Sequence, residues 1–129
     1  MASAYSGIYV SIFPNVPGSD GNSATEPDPS WTSLIPAPNH PEYISTHSTV
    51  TGTTMRVLAL LLGDETPFTV SSPALPGVTA TYQSFSDAAV EVGLSRIWGG
   101  IHFRTACEVG RAVGESIADQ AVTNYLLPR

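Results

Sequence analysis

Two short stretches place proton-exchanging side chains where apolar helix is expected: Ser45-Thr46-His47, and Ser95-Arg96 followed by Gly100-Ile101-His102. Together they hold two imidazoles, a guanidinium and hydroxyls, a set able to bind a tetrahedral oxyanion and to move a proton beside it. Ser45 and Thr46 fall at the start of a helix, where unpaired N–H groups and the positive end of the dipole favour an anion. Arg96 falls on the apolar arc of a second helix, where a guanidinium without an anion is heavily penalised. One phosphate-like ion would satisfy both. A plainer reading stands beside each: Ser-Thr-His is also a helix cap, and Trp98 beside two glycines is ordinary packing. His40 reads as an exposed loop residue and Cys107 as a small buried hydrophobe.

Three helices must position these groups. The first is expected from His47 to Leu62, stopped by Gly63. At 100° per residue His47, Val50, Thr51, Thr54, Leu58 and Leu61 share one face of it. Val57, Ala59, Leu60 and Leu62 extend the apolar surface almost all round, and only the flank near Arg56 is polar. The second helix starts at Ser84, a cap with Asp87 at the third helical position, and runs to about Ile97. Its apolar side is Phe85, Ala88, Ala89 and Val92, while Asp87 and Glu91 face the other way. The third runs from Thr105 to Leu126 and is ended by Pro128, with Ala106, Val109, Val113, Ile117 and Ala121 as its apolar stripe. Arg104, Glu108, Arg111 and Glu115 line the opposite side. Residues 64–83 carry β-branched stretches between prolines, and a short β-hairpin or a loop both fit them.

Before residue 47 the prolines stand too close for a helix or a central strand. Trp31, Leu34, Ile35 and Tyr43 punctuate that segment and suggest that it drapes over a core. The expected fold is therefore all-α: a partial bundle of three main helices in one domain, residues 1–129. Residues 1–46 form its irregular wrapping segment and 47–129 its helical core.

Composition narrows the function classes. A chain of 129 residues with 42% hydrophobic and 12% charged residues has room for one core and is no disordered arm. All five basic residues are Arg and the net charge is −6, which leaves no basic track for nucleic acid. A lone Cys107 allows neither an internal disulfide nor a zinc ribbon. The longest apolar run, Val57–Leu62, is far below the roughly 18 residues of a membrane span, and the first residues lack a basic leader, so a cytoplasmic protein is expected. The low charge and the all-round apolar first helix point to a homodimer or to a complementary helical chain.

The stretches Pro41-Glu42-Tyr43-Ile44-Ser45-Thr46-His47-Ser48-Thr49 and Ser95-Arg96-Ile97-Trp98-Gly99-Gly100-Ile101-His102-Phe103-Arg104 resemble the second and third signature motifs of the vanadium haloperoxidase and type 2 phosphatidic acid phosphatase superfamily. The likeness covers about Trp31 to Leu127, as the C-terminal half of such a protein, and His102-Phe103-Arg104 looks more like the haloperoxidase branch. It implies that His102 is the ligand to vanadate, or the nucleophile that becomes phosphohistidine in an acid phosphatase. It implies that His47 is the general acid-base, and that Ser45, Thr46, Arg96 and Gly100 bind the oxygens of vanadate or of a competing phosphate. Substrates would be hydrogen peroxide and halide, or a phosphate ester. The chain departs from the pattern in three ways: it has no Lys and no Arg-Pro pair for the first motif, Thr46 replaces a Gly, and Ala106 stands where much of the family has a ring-orienting Asp. The expectation is a truncated haloperoxidase-like protein, weakly active or inactive alone; the alternatives are an acid phosphatase and a non-catalytic interaction domain.

Overall fold

Ser45 begins the first helix, α1 (Thr46–Leu62), by accepting the Ser48 N–H on its side-chain oxygen. Gly63 ends it at φ +88°, the left-handed region that an L side chain rarely adopts. Ser84 caps α2 (Phe85–Trp98) in the same way, accepting from the Asp87 N–H at 3.0 Å. The third helix, α3 (Arg104–Ala121), passes into a π-helical turn over Val122–Leu126 rather than staying α-helical to its end. The computed structural model describes residues 15–16 and 26–126. The irregular reading of residues 1–14 and 17–25 and the stop at Pro128 lie outside them.

Among the described residues of the Pro-rich segment, the only strands are β1 (Asn15–Val16) and β2 (Glu26–Pro27), paired in parallel over two residues. The hairpin between α1 and α2 is real. β3 (Phe68–Ser72) and β4 (Leu75–Tyr82) pair antiparallel from Phe68↔Tyr82 to Ser71↔Thr79, with an irregularity at Ser72. Phe68 stacks on Phe85 with ring centroids 5.1 Å apart, and Tyr82 donates its O–H to Glu91 at 3.0 Å, so the root of the hairpin rests on α2.

The bundle core is built from small residues. α1 turns Ser48 and Gly52 inward, and α3 turns Ala106, Cys107, Gly110, Gly114 and Ala118 inward. A Cβ at Gly110 would lie 2.7 Å from the Ser45 carbonyl oxygen, and one at Gly52 would lie 3.0 Å from that of Arg111. The two helices therefore meet backbone against backbone. This corrects two expected faces. Val113 and Ile117, assigned to the buried stripe of α3, are exposed, as are Val50 and Leu61 on the face read as the apolar side of α1. Bulky side chains would hold the helices apart, so the contact falls on the glycines and serines beside them. The prediction for α2 holds more closely, since Phe85, Ala88, Ala89, Gly93 and Ile97 are buried.

Trp31 and Ile35 anchor the wrapping segment, whereas Leu34 and Tyr43 are exposed. A Cβ on Gly99 or Gly100 would lie 2.9 Å from the Ile35 or Trp31 side chain respectively. The Gly99 carbonyl accepts the Leu34 N–H at 3.1 Å. The glycine pair beside Trp98 is thus a docking point for chain.

Candidate functional site

At the end of α2 the chain must turn sharply to aim residue 102 back at the bundle. Gly100 makes that turn at φ +71°, donating its N–H to Ile97 O at 2.9 Å while Ile101 N–H reaches Arg96 O at 3.2 Å. This is a Schellman closure, and Gly100 serves the site through the turn, its own N–H being engaged there. The next residues deliver His102, whose side chain is 1% exposed. Both its ring nitrogens, and Nε of Arg96 six residues earlier, are buried without a hydrogen-bond partner among the described residues. Three orphaned nitrogens so close in sequence are unusual, because buried polar atoms normally find partners.

The other stretch meets this turn through α3. Ser45 donates its N–H to Ala106 O at 3.1 Å, which ties the cap of α1 to the first turn of α3. Its side chain is fully buried, with Ser48 Oγ donating to its oxygen at 3.1 Å. Ser45 is thus a cap, as the plainer reading held, and its hydroxyl proton has no acceptor among the described residues. Thr46 and His47 are exposed at the first turn of α1, and their N–H groups have no acceptor among those residues. The side chain at Thr46 therefore sits at the surface.

His47 is held below the ordinary pKa of 6.5, first by partial burial and then by the Arg96 guanidinium. His47 lies at the start of α1, while Arg96 and His102 flank the α2–α3 turn. His40 is exposed as expected, yet its ring centroid lies 6.4 Å from that of His102. Glu42 has Oε1 3.4 Å from His102 Nδ1 and accepts the Phe103 N–H at 2.8 Å. At that distance Nδ1 makes no hydrogen bond, and the approach is an electrostatic contact. Sequence spacing had singled out neither His40 nor Glu42 for this place.

Cys107 is buried and unpaired, as expected. Glu108 and Glu115 pair with Arg104 and Arg111 along α3, the latter pair very short, so neither carboxylate turns toward His102. A cleft of about 110 Å³ between α2 and α3, lined by Ala89, Gly93, Ile97 and Cys107, contains none of the site groups. Among the described residues no three His, Cys, Asp or Glu side chains gather as a metal-holding group, and no helix is long and apolar enough to cross a membrane. The N–H groups at the start of α1, the Arg96 guanidinium and the His102 imidazole are groups of the kinds that bind oxyanions.

Known proteins share this fold. The chain superimposes on a bacterial vanadium-dependent iodoperoxidase with a TM-score of 0.70 and 37% identity, over 74% of this chain and 24% of that one. A holo-type bacterial vanadium-dependent chloroperoxidase matches with a TM-score of 0.61 and 28% identity, over 72% of this chain and 22% of that one. The apo-type bacterial enzyme matches with a TM-score of 0.60 and 27% identity, over 72% and 23%. The chain thus spans about a quarter of the length of these structures. No curated protein matches it. The family described as the VCPO second helical-bundle domain matches residues 5–127, nearly the whole sequence, and the chain belongs to that family.

Proposed function

We propose that this chain contributes His102, Arg96, His47 and the start of α1 to the oxyanion site of a vanadium-dependent haloperoxidase. The observation that carries the reading is the pair of buried, unpartnered nitrogens, Arg96 Nε and a ring nitrogen of His102. Vanadate needs one imidazole nitrogen and several N–H or O–H donors, and the residues present fit that demand. When bound, it supplies Lewis acidity that activates hydrogen peroxide toward halide.

The chain's own residues have separable parts. His102 Nε2 offers the lone pair. Arg96 Nε, the Ser45 hydroxyl and the N–H groups of Thr46 and His47 donate to oxygens, and each leaves an unsatisfied state by doing so. His47, whose pKa is lowered by partial burial and by Arg96, is suited to take a proton and return it. The absence of Lys and of an Arg-Pro pair removes two cationic contacts that the resembled family has, so the isolated chain is expected to bind the oxyanion and turn over little.

Calorimetric titration with orthovanadate tests this reading. Wild type should bind and His102→Ala should not, with inorganic phosphate competing at the same site. Equal binding by His102→Ala, or none by wild type, removes the reading. Phosphate-ester hydrolysis that disappears in His102→Ala would replace it with an acid phosphatase.

The outward faces of α1 carry Val50, Leu60, Leu61 and Leu62, all exposed, and we propose that a second copy covers the C-terminal part. Sedimentation at micromolar concentration should show a dimer that Leu60→Glu converts to monomer. A wild-type monomer under those conditions would exclude the self-association.

A further inference from the structure

A ligating imidazole needs something to decide which nitrogen carries its proton. In a neutral ring one nitrogen has the N–H and the other the lone pair, and the partner of the first sets the choice. The position four residues beyond His102 is Ala106, a buried methyl with nothing to offer the ring. Glu42 instead comes from a distant part of the sequence, 61 positions from Phe103, whose N–H it holds at 2.8 Å. That backbone bond fixes the carboxylate against the residue next to His102. The same oxygen, Oε1, stands 3.4 Å from Nδ1.

We propose that Glu42 is the positioning residue of His102: its carboxylate holds the ring as the Nδ1–H tautomer and leaves the Nε2 lone pair for the oxyanion. A negative oxygen at that distance attracts an N–H on Nδ1 and repels a lone pair there. The ring is almost wholly buried and Nδ1 has no other partner among the described residues, so little competes with that bias. Glu42 also joins the segment that leads into α1 to the turn that carries His102, coupling the two halves of the site through one side chain. The inference rests on the haloperoxidase reading only for what Nε2 does next.

Long-range ¹H–¹⁵N correlation spectra of the full chain read the tautomer directly. Wild type should show Nδ1–H at His102. Glu42→Gln keeps an oxygen for both Phe103 N–H and Nδ1 and should retain it. Glu42→Leu and Glu42→Ala should move the ring toward Nε2–H and weaken orthovanadate binding about ten- to hundredfold, the usual cost of losing a partner behind a ligating His. An Nε2–H ring in wild type overturns the proposal whatever the variants do, and so does an unchanged tautomer in a folded Glu42→Leu or Glu42→Ala chain. If the tautomer follows Glu42 but wild type binds no orthovanadate, the positioning role stands and the haloperoxidase reading falls.

Discussion

Replacing Gly114 by Ala is expected to destabilise the protein by about 3 kcal/mol, the upper end of the usual range for overpacking. Helix propensity alone argues the other way, since Ala is better than Gly by about 1 kcal/mol in a helix interior. Packing decides the sign. A Cβ at Gly114 would run into the Thr49 carbonyl oxygen and lie 2.8 Å from Thr53 N and 3.0 Å from Thr53 Oγ1. Backbone atoms of α1 cannot swing aside as a flexible side chain would, so α1 and α3 must separate along their length. Gly93 supplies the control: its Cβ would meet Ser48 Oγ at 3.5 Å and Cys107 Cβ at 3.6 Å, ordinary contact distances. Gly93→Ala should therefore be neutral or slightly stabilising. Urea denaturation of the two variants side by side measures the difference, and equal stabilities would contradict the close approach of α1 and α3.

Arg96→Met should act in opposite directions on stability and on binding. The Nε of Arg96 is buried with no acceptor among the described residues, so an apolar side chain of similar length is expected to stabilise the ligand-free chain by about 1 kcal/mol. The same change removes a charge-assisted donor from the oxyanion and should weaken orthovanadate binding about tenfold or more. A third effect is independent of both. Arg96 follows burial among the causes that hold His47 below 6.5, so in Arg96→Met the His47 pKa should rise toward that value. Denaturation, calorimetry and proton NMR of the His47 ring each read one arm. A less stable Arg96→Met chain would show that the guanidinium is a structural brace.

Local chemistry was legible in the sequence where one residue acts on its neighbours. Ser45 and Ser84 cap the helices that their positions imply, and Gly63 stops α1. The Ser95-Arg96 and Gly100-His102 pattern marked the turn that buries His102. Helix faces were less legible, because periodicity follows bulky apolar residues. In this bundle Gly52, Gly110 and Gly114 set the approach of α1 to α3 while Val113 and Ile117 face outward. Small residues carry little hydrophobic signal, yet they alone permit that distance. Glu42 was out of reach for a different reason: its contact with Phe103 spans 61 residues, and no local spacing rule connects them. His40 is similar, an exposed loop residue by type that folding brings near His102.

The two ends of the hairpin segment are clasped at one point. Asp64 accepts the Phe85 N–H on its carbonyl at 3.2 Å and the Ser86 N–H on Oδ1 at 2.9 Å, so the chain leaves α1 and enters α2 through a closed neck. Residues 65–83 are an excursion from that neck. Ring closure is already provided at its base, and changes in length at the hairpin tip between Ser72 and Leu75 alter mainly a slowly growing entropy. α1 has 17 residues, so the neck lies about 25 Å along the helix from the cap at Ser45. Loop exchange or an inserted reporter between Ser72 and Leu75 would thus act far from His102, which leaves this small scaffold one pole free to vary.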